Sequence, residues 1–457
     1  GVQPQNYAGT SNLTEAQVAA DGPTIQNLRL WDDRVLLDVY SQLQSLRSYY
    51  DFNTINLDRY TIGGQYQQLE ISAREMNQDR LPAGAQTWVN QELRYTHGYG
   101  VAASQVAAVS GEGLPAYVVQ NIPPQGDLPV TVPSIYFGQT GRSYVLAPSA
   151  QQEFDYPSGT DNVNTSYTGT HGVPMDGANR TLWSLRTGDF NLLISDQVQP
   201  RTQILYRRNV IERAQAIAPF LSFPDQPYIV VVDGKLYWIL DAYTSSASYP
   251  YSPAQADGEN YLRNSVKVVV DAYEGTADFY VADDKDPVLK AYRATFPGLF
   301  KPLASMPSGL QAHLRVPPYM FRTQAQVYAQ YHVSNPQTFY NHEDIWDFAT
   351  EQSSPNGPAS VLDPYYVLMR LPGEQNAEYL QILPFTPHGK ANMIAWLAAR
   401  NDAPHYGQLA SFVDVDFLPP EFRAVYQSKL ADLRDAAPPM SFDKVRQVLE
   451  REWEEPV

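Results

Sequence analysis

An α+β fold is what this sequence predicts: helical toward the N terminus, antiparallel and β-rich with hairpins in the middle, and helical again in the C-terminal tail. Three observations carry that expectation. Asp233-Gly234 splits Tyr228–Leu240 into two apolar runs, and Glu274-Gly275 does the same within Ser265–Val281, which is the short-range signature of hairpins. Leu36, Leu37, Tyr40, Leu43, Leu46 and Tyr50 recur at spacings of three and four, giving one apolar helical face. From Pro419 onward the chain is charged, helix-prone and poor in β-branched runs.

Taken in order, residues 1–30 are polar and read as an arm that orders on contact. The amphipathic helix follows and stops near Asp51-Phe52-Asn53. Gln65–Met76 is expected to be a second helix, and Trp88–Tyr95 leads into the glycine-rich His97-Gly98-Tyr99-Gly100. Ala116–Gln120, Ser134–Phe137 and Ser143–Leu146 are strand-like runs separated by Gly and Pro. Residues 155–180, rich in Gly, Ser, Thr, Asn and Asp, read as a long surface loop. After the two hairpins, Leu289–Phe300 and Thr323–His332 are expected helices, Tyr365–Arg370 and Tyr379–Leu383 a strand pair, and Ala391–Arg400 a further helix. The segmentation is 1–110 helical and loop, 111–290 β-rich, 291–410 mixed, and 411–457 a helical tail.

Composition bounds the function. With 457 residues, 43% hydrophobic and 12% aromatic including 32 Tyr, the chain has ample material for packed interiors. The formal charge of −17 repels phosphate backbones, so nucleic acid is not an expected partner. The absence of cysteine removes disulfides, thiol nucleophiles and thiolate metal sites. No run reaches the roughly 18 apolar residues a spanning helix needs, and no signal peptide opens the chain at Gly1, which is expected to be a fragment of something longer.

The runs RSYYDFNTINLDRY (Arg47–Tyr60), SAREMN (Ser72–Asn77) and TWVNQELRYTHGYG (Thr87–Gly100) are followed in order by others. Among these are Ile135-Tyr136-Phe137-Gly138, Glu153-Phe154-Asp155-Tyr156-Pro157, Arg207-Arg208-Asn209, Asp241-Ala242-Tyr243-Thr244, His313-Leu314-Arg315 and Pro384-Phe385-Thr386-Pro387. Across about residues 25–410 the chain resembles uncharacterised protein family 0182, bacterial and archaeal membrane proteins with several N-terminal spans before a large extracytoplasmic region. The resemblance implies that spans absent from this chain anchor it on the outer face of the cell membrane, and it brings no accepted catalytic residues. The tail departs from it: Leu418–Arg434 and Pro438–Trp453 resemble the helical segment preceding the kinase domain of UbiB-type atypical kinases, with no ATP-binding loop or catalytic core.

Candidate chemistry concentrates in three places. His313, Arg315, His332, Glu343 and Asp344 form the densest polar set. Imidazoles and carboxylates are zinc ligands, and a His–Asp pair is a general base, although each His also suits a local hydrogen bond. Arg94, His97 and Tyr99 place a cation, an imidazole and a hydroxyl in a glycine-rich segment. That set suits a carboxylate, phosphate or sugar if the segment is a mobile loop, and is otherwise a packed turn. Asp283, Asp284 and Asp286 offer oxygen ligands for calcium or make a solvated turn before a helix, while Asp225 and Asp241 are weaker cation candidates. No Gly-x-Ser-x-Gly elbow surrounds Ser245 or Ser246, and paired acids for glycoside hydrolysis require a separation that sequence does not measure. The preferred reading is an extracytoplasmic binding or structural module for a partner protein or envelope polymer. The alternative is an envelope hydrolase, metal-dependent (Zn or Ca) or carboxylate-based, centred on His313, His332, Glu343 and Asp344.

Overall fold

The computed structural model describes residues 2–7, 14–15, 21–159, 161–254, 258–333, 335–352 and 357–414. They form two compact units: Arg29–His313, and the described residues within Gly1–Leu28 and Leu314–Val457. The smaller unit joins segments far apart in the chain, because Val2–Tyr7 pairs with Leu409–Asp414. The expected helical tail lies outside the described residues.

In the larger unit, two five-stranded sheets share one core. The first runs Asn56–Ile62, Gln65–Ala73, Val101–Val109, Pro115–Gln120 and Gln125–Gly126, all antiparallel. Its opening turn is Gly63-Gly64, with φ of 59° and 80°, a two-residue hairpin that needs positive φ at both positions. Gln65–Ala73 is therefore a strand where a helix was expected. Leu69, Ile71 and Ala73 alternate into the core, while Gln68, Glu70 and Ser72 take the opposite face. Helix Asp33–Gln44, capped by the Asp32 carboxylate accepting from the Arg34 amide at 2.9 Å, covers that face with Leu36 and Tyr40.

The second sheet holds both expected hairpins: Tyr228–Val232 with Lys235–Ser246, and Tyr261–Asp271 with Ala277–Val281. Lys235–Ser246 and Tyr261–Asp271 pair in turn, and Phe300–Pro302 adds a parallel edge. Asp233 and Gly234 have φ of 51° and 75°, as the Asp-Gly turn predicts. Tyr60, Leu69, Ile71 and Val101 of the first sheet share a buried cluster with Ile229, Trp238, Val268 and Phe279 of the second. The stretch expected to be a long loop contains a hairpin, Glu153–Ser158 with Asp161–Thr165, and helix Gly177–Thr187, which ends on left-handed Gly188.

The smaller unit is a six-stranded sheet with helix Pro318–Tyr331. Val2–Tyr7 lies parallel to Leu409–Asp414, which pairs with Ala395–Arg400, and that strand pairs with Ala377–Pro387. Both Tyr365–Arg370 and Trp346–Phe348 line the far edge of Ala377–Pro387. The helix expected over Ala391–Arg400 is instead a strand, buried at all six positions of Ala395–Arg400; an interior strand is apolar on both faces and shows no period of two. Phe321, Ala325 and Ala329 seat Pro318–Tyr331 against Trp346, Leu383, Phe385 and Leu397. Among the described residues no helix is long and apolar enough to cross a membrane.

Candidate functional site

The segment Arg94–Gly100 is packed rather than a mobile loop. Val89–Arg94 forms a π-helical turn, and Gly98-Tyr99 then pairs with Ser134-Ile135. A Cβ on Gly98 would stand 2.5 Å from the carbonyl oxygen of Arg74, so only glycine lets the backbones pass this closely. This passage turns Thr96 and His97 inward, both fully buried.

There His97 meets two carboxylates. Its Nε2 is 3.3 Å from Asp155 Oδ1, and its Nδ1 is 3.0 Å from Thr96 Oγ1, whose proton goes to Glu153 Oε2 at 2.5 Å. Glu153 also accepts from the Tyr136 hydroxyl at 2.7 Å and the Tyr167 amide at 2.7 Å. Glu153 and Asp155 lie on one strand, and the register shifts between Phe154 and Tyr156, so Asp155 is a bulge residue whose side chain is re-aimed. The Tyr136 ring covers His97 at 4.7 Å, and Tyr167 and Tyr273 pack on Tyr136 in turn. Burial, then the Glu153 charge, raises the Tyr136 phenol well above its usual range, so it stays a donor. Arg208 ties the backbone beneath, donating to the carbonyls of Tyr136 at 2.7 Å and Thr96 at 2.6 Å. The network continues outward, where the Tyr167 hydroxyl donates to Glu274 at 3.3 Å and exposed His171 lies 2.7 Å from the same carboxylate.

Chemically this is a buried imidazole hydrogen-bonded to a threonine and a carboxylate, with a second carboxylate held by Thr96, Tyr136 and the Tyr167 amide. It cross-links the segments around residues 97, 136, 153 and 167. Of the other candidates in this segment, Tyr99 is buried against Tyr156, and half-buried Arg94 has no side-chain partner among the described residues.

The remaining candidates are distributed between the two units. In the larger, His313 Nδ1 is 2.7 Å from buried Asp58, with its ring against Tyr60. Asp283 pairs with Arg263 at 2.7 Å. Asp286 is the buried N-cap of Pro287–Thr295, accepting from Thr244 (2.5 Å), Ser265 (2.6 Å), Tyr261 (2.6 Å) and the Val288 amide (2.9 Å). Burial alone would raise its pKa, but those donors hold it below the usual carboxylate range. Asp241 forms a buried ion pair with Lys267, and Asp225 accepts from Tyr243.

In the smaller unit, His332 stacks on Trp346 at 3.6 Å and its Nε2 lies 3.8 Å from Asp344. That imidazole lowers the Asp344 pKa against the effect of burial. Glu343 is exposed and accepts from Asn341 at 2.7 Å, and the Arg315 guanidinium lies 4.8 Å from the Tyr366 ring centre. A small cleft lined by Thr338, Phe339, His342 and Asp344 flanks the pair. Among the described residues no three His, Asp or Glu side chains come together as metal ligands would.

One buried acid that sequence reasoning missed behaves differently. Glu70 faces helix Asp33–Gln44 between Leu57 and Ser104 in register, is fully buried, and neither carboxyl oxygen has a hydrogen-bond partner. Burial, and then the nearby Asp33 charge, pushes its pKa up to about 8, so it is a neutral acid at neutral pH. Asp33 itself is raised by burial and bonded to Arg29 at 2.9 Å. The alternation of polar residues along Gln65–Ala73 is the sequence signal that would have found it.

Residues 1–413 match the model of the uncharacterised protein family UPF0182. The chain belongs to that family. It is 49% identical over 404 residues to a UPF0182 protein of Pelotomaculum thermopropionicum, covering 88% of this chain and 44% of that protein. It is 48% identical over 418 residues to one of Cupriavidus necator (90% and 46%), and 44% over 417 residues to one of Methanospirillum hungatei (89% and 46%). This UPF0182 chain thus spans less than half the length of these relatives. No solved structure matches it.

Proposed function

We propose that this UPF0182 chain is the extracytoplasmic part of a membrane-anchored protein, and that it works by binding a partner protein or envelope polymer rather than by chemistry of its own. The observation that carries this is the internal saturation of its reactive groups. His97, Glu153, His313, Asp58, Asp286 and Asp241 each hold partners inside the larger unit. Catalytic groups need a face turned toward substrate, and these are turned toward internal partners. The anchoring rests on the family resemblance and on relatives more than twice the length of the matched region. Against the hydrolase alternative, Glu343 is exposed and makes only a local hydrogen bond, and His332 is stacked on Trp346.

The test uses isolated cell-wall sacculi covalently labelled with dye. Co-sedimentation of the protein without release of soluble dye supports the binding reading. Dye release that scales with protein and disappears in a His313→Ala/His332→Ala variant overturns it in favour of the hydrolase.

A further inference from the structure

Helix Gly177–Thr187 and the short helix Asn191–Ile194 form a hairpin around left-handed Gly188. It is fastened from below. Arg180 donates to the carbonyls of Leu192 and Ser195, Ser184 donates to the Asp189 carbonyl at 2.8 Å, and Asp189 accepts from Trp88 and Tyr144, each at 2.5 Å. Leu192 fills the core. The outer face is apolar instead of polar: Leu182 is 61% exposed, Leu185 70%, Phe190 69% and Ile194 78%, with Leu193 beside them. The spacing of Leu182 to Leu185, and of Phe190 to Ile194, puts each pair on one side of its turn. Five large apolar side chains exposed within 13 consecutive residues are a binding surface by the ordinary standards of soluble proteins.

Two features indicate what covers it. Exposures of this size mean that the side chains stand off the surface rather than line a groove, so they suit insertion into a deformable phase. The local charge is also opposite to that of the whole. Residues 176–207 carry Arg180, Arg186, Arg201 and Arg207 against Asp176, Asp189 and Asp196, a net +1 in a chain of −17. The Arg186 guanidinium lies 5.1 Å from the centre of the Trp183 ring, which packs on Tyr206 at 4.7 Å, and Arg201 and Arg207 are exposed at the two ends of strand Gln203–Tyr206. Aliphatic tips on a helix that also carries Arg186 and the Trp183 indole match the boundary between acyl chains and anionic headgroups.

We infer that the hairpin Gly177–Ser195 docks this unit on an anionic lipid surface, with Leu182, Leu185, Phe190 and Ile194 entering the acyl boundary and Arg186 engaging headgroups. The inference does not rest on the binding function proposed above, and its test contains no cell-wall polymer, so either can fail alone.

The experiment is flotation of the full chain with vesicles of phosphatidylglycerol and phosphatidylcholine in equal amounts, beside pure phosphatidylcholine vesicles. Leu185→Ser/Ile194→Ser alters only exposed positions, and circular dichroism checks its fold. Expected are flotation with the anionic vesicles, partition weakened at least roughly tenfold in the double variant, and loss of the anionic preference in Arg186→Glu. Absence of flotation by the native chain overturns the inference, as does unchanged flotation by the folded double variant. Concentration-dependent self-association that the double variant abolishes, without vesicle binding, also overturns it and assigns the face to a second copy.

Discussion

Replacing Glu70 by Gln should remove a specific pH dependence from the stability of the larger unit. In the folded chain the carboxyl is buried without a partner and its pKa is pushed from 4.5 up to about 8. Between those values the native state holds a proton that the unfolded chain has released, so stability falls as pH rises from about 4.5 and levels off above about 8. At about 1.4 kcal/mol per pH unit, the full displacement is worth roughly 5 kcal/mol. Water entry beside the ionised form reduces this, so a loss on the order of 2–5 kcal/mol is expected. Glutamine has the same shape and no charge, so Glu70→Gln should match the native chain near pH 5 and exceed it by that amount near pH 9. Glu92, which burial pushes up to about 7, slopes the same way in both proteins and cancels in the difference. Urea unfolding followed by tryptophan fluorescence across this range gives the comparison directly. Parallel curves for the two proteins, or a native chain that gains on the variant with rising pH, would mean that Glu70 is not a buried proton-holding acid.

The buried networks set four further outcomes. His97→Ala leaves a cavity and removes the hydrogen bonds to Thr96 and Asp155, and should cost roughly 2–4 kcal/mol in urea unfolding, with sacculus binding retained under conditions where the variant is folded. Asp286→Ala removes a helix cap and strands the Thr244, Ser265 and Tyr261 hydroxyls, for a loss of about 2–4 kcal/mol. Added calcium should not move the native melting temperature. In the smaller unit, Arg400 donates to Glu378 at 2.5 Å and grips Glu374 through two bonds of 2.7 Å, while His405 lies 2.6 Å from Glu378. Burial would raise the Glu378 pKa, but these partners hold it below 4.5. Its contribution is therefore present above about pH 4.5 and lost as pH falls through the lowered value. Arg400→Met leaves only His405 beside Glu378, so it should flatten that acid limb and cost roughly 3–5 kcal/mol, read by thermal unfolding between pH 3 and 7.

Local signals carried the parts of the fold that local chemistry decides. Asp233-Gly234 meets the backbone demand of a tight hairpin by itself, and Asp32 with the Leu36 and Tyr40 face defines its helix from within a dozen residues. Gly63-Gly64 offered the same turn chemistry, but the polar opening of the strand, Gln65 to Gln68, hid a period that only Gln68, Glu70 and Ser72 make visible against Leu69, Ile71 and Ala73. Glu70 and Ser72 are polar because they lie under a helix-covered face rather than in the main core. Ala395–Arg400 has no legible period because neighbours bury both its faces. The sites were harder to read, since their geometry is made by partners remote in sequence. Asp58 reaches His313 across 255 positions, and Thr96 reaches Glu153 across 57. His97 was visible as a polar residue among glycines, but nothing in its own segment announced two carboxylates and a tyrosine lid.

The proposed binding function has His97, His313, Asp241 and Asp286 as internal cross-links and leaves the work to the surface. Metal analysis of the purified protein, paired with thermal unfolding in the presence and absence of EDTA, tests this most directly. It predicts no stoichiometric zinc or calcium and an unchanged melting temperature. One equivalent of metal, retained through purification and lost in His313→Ala/His332→Ala, would contradict it.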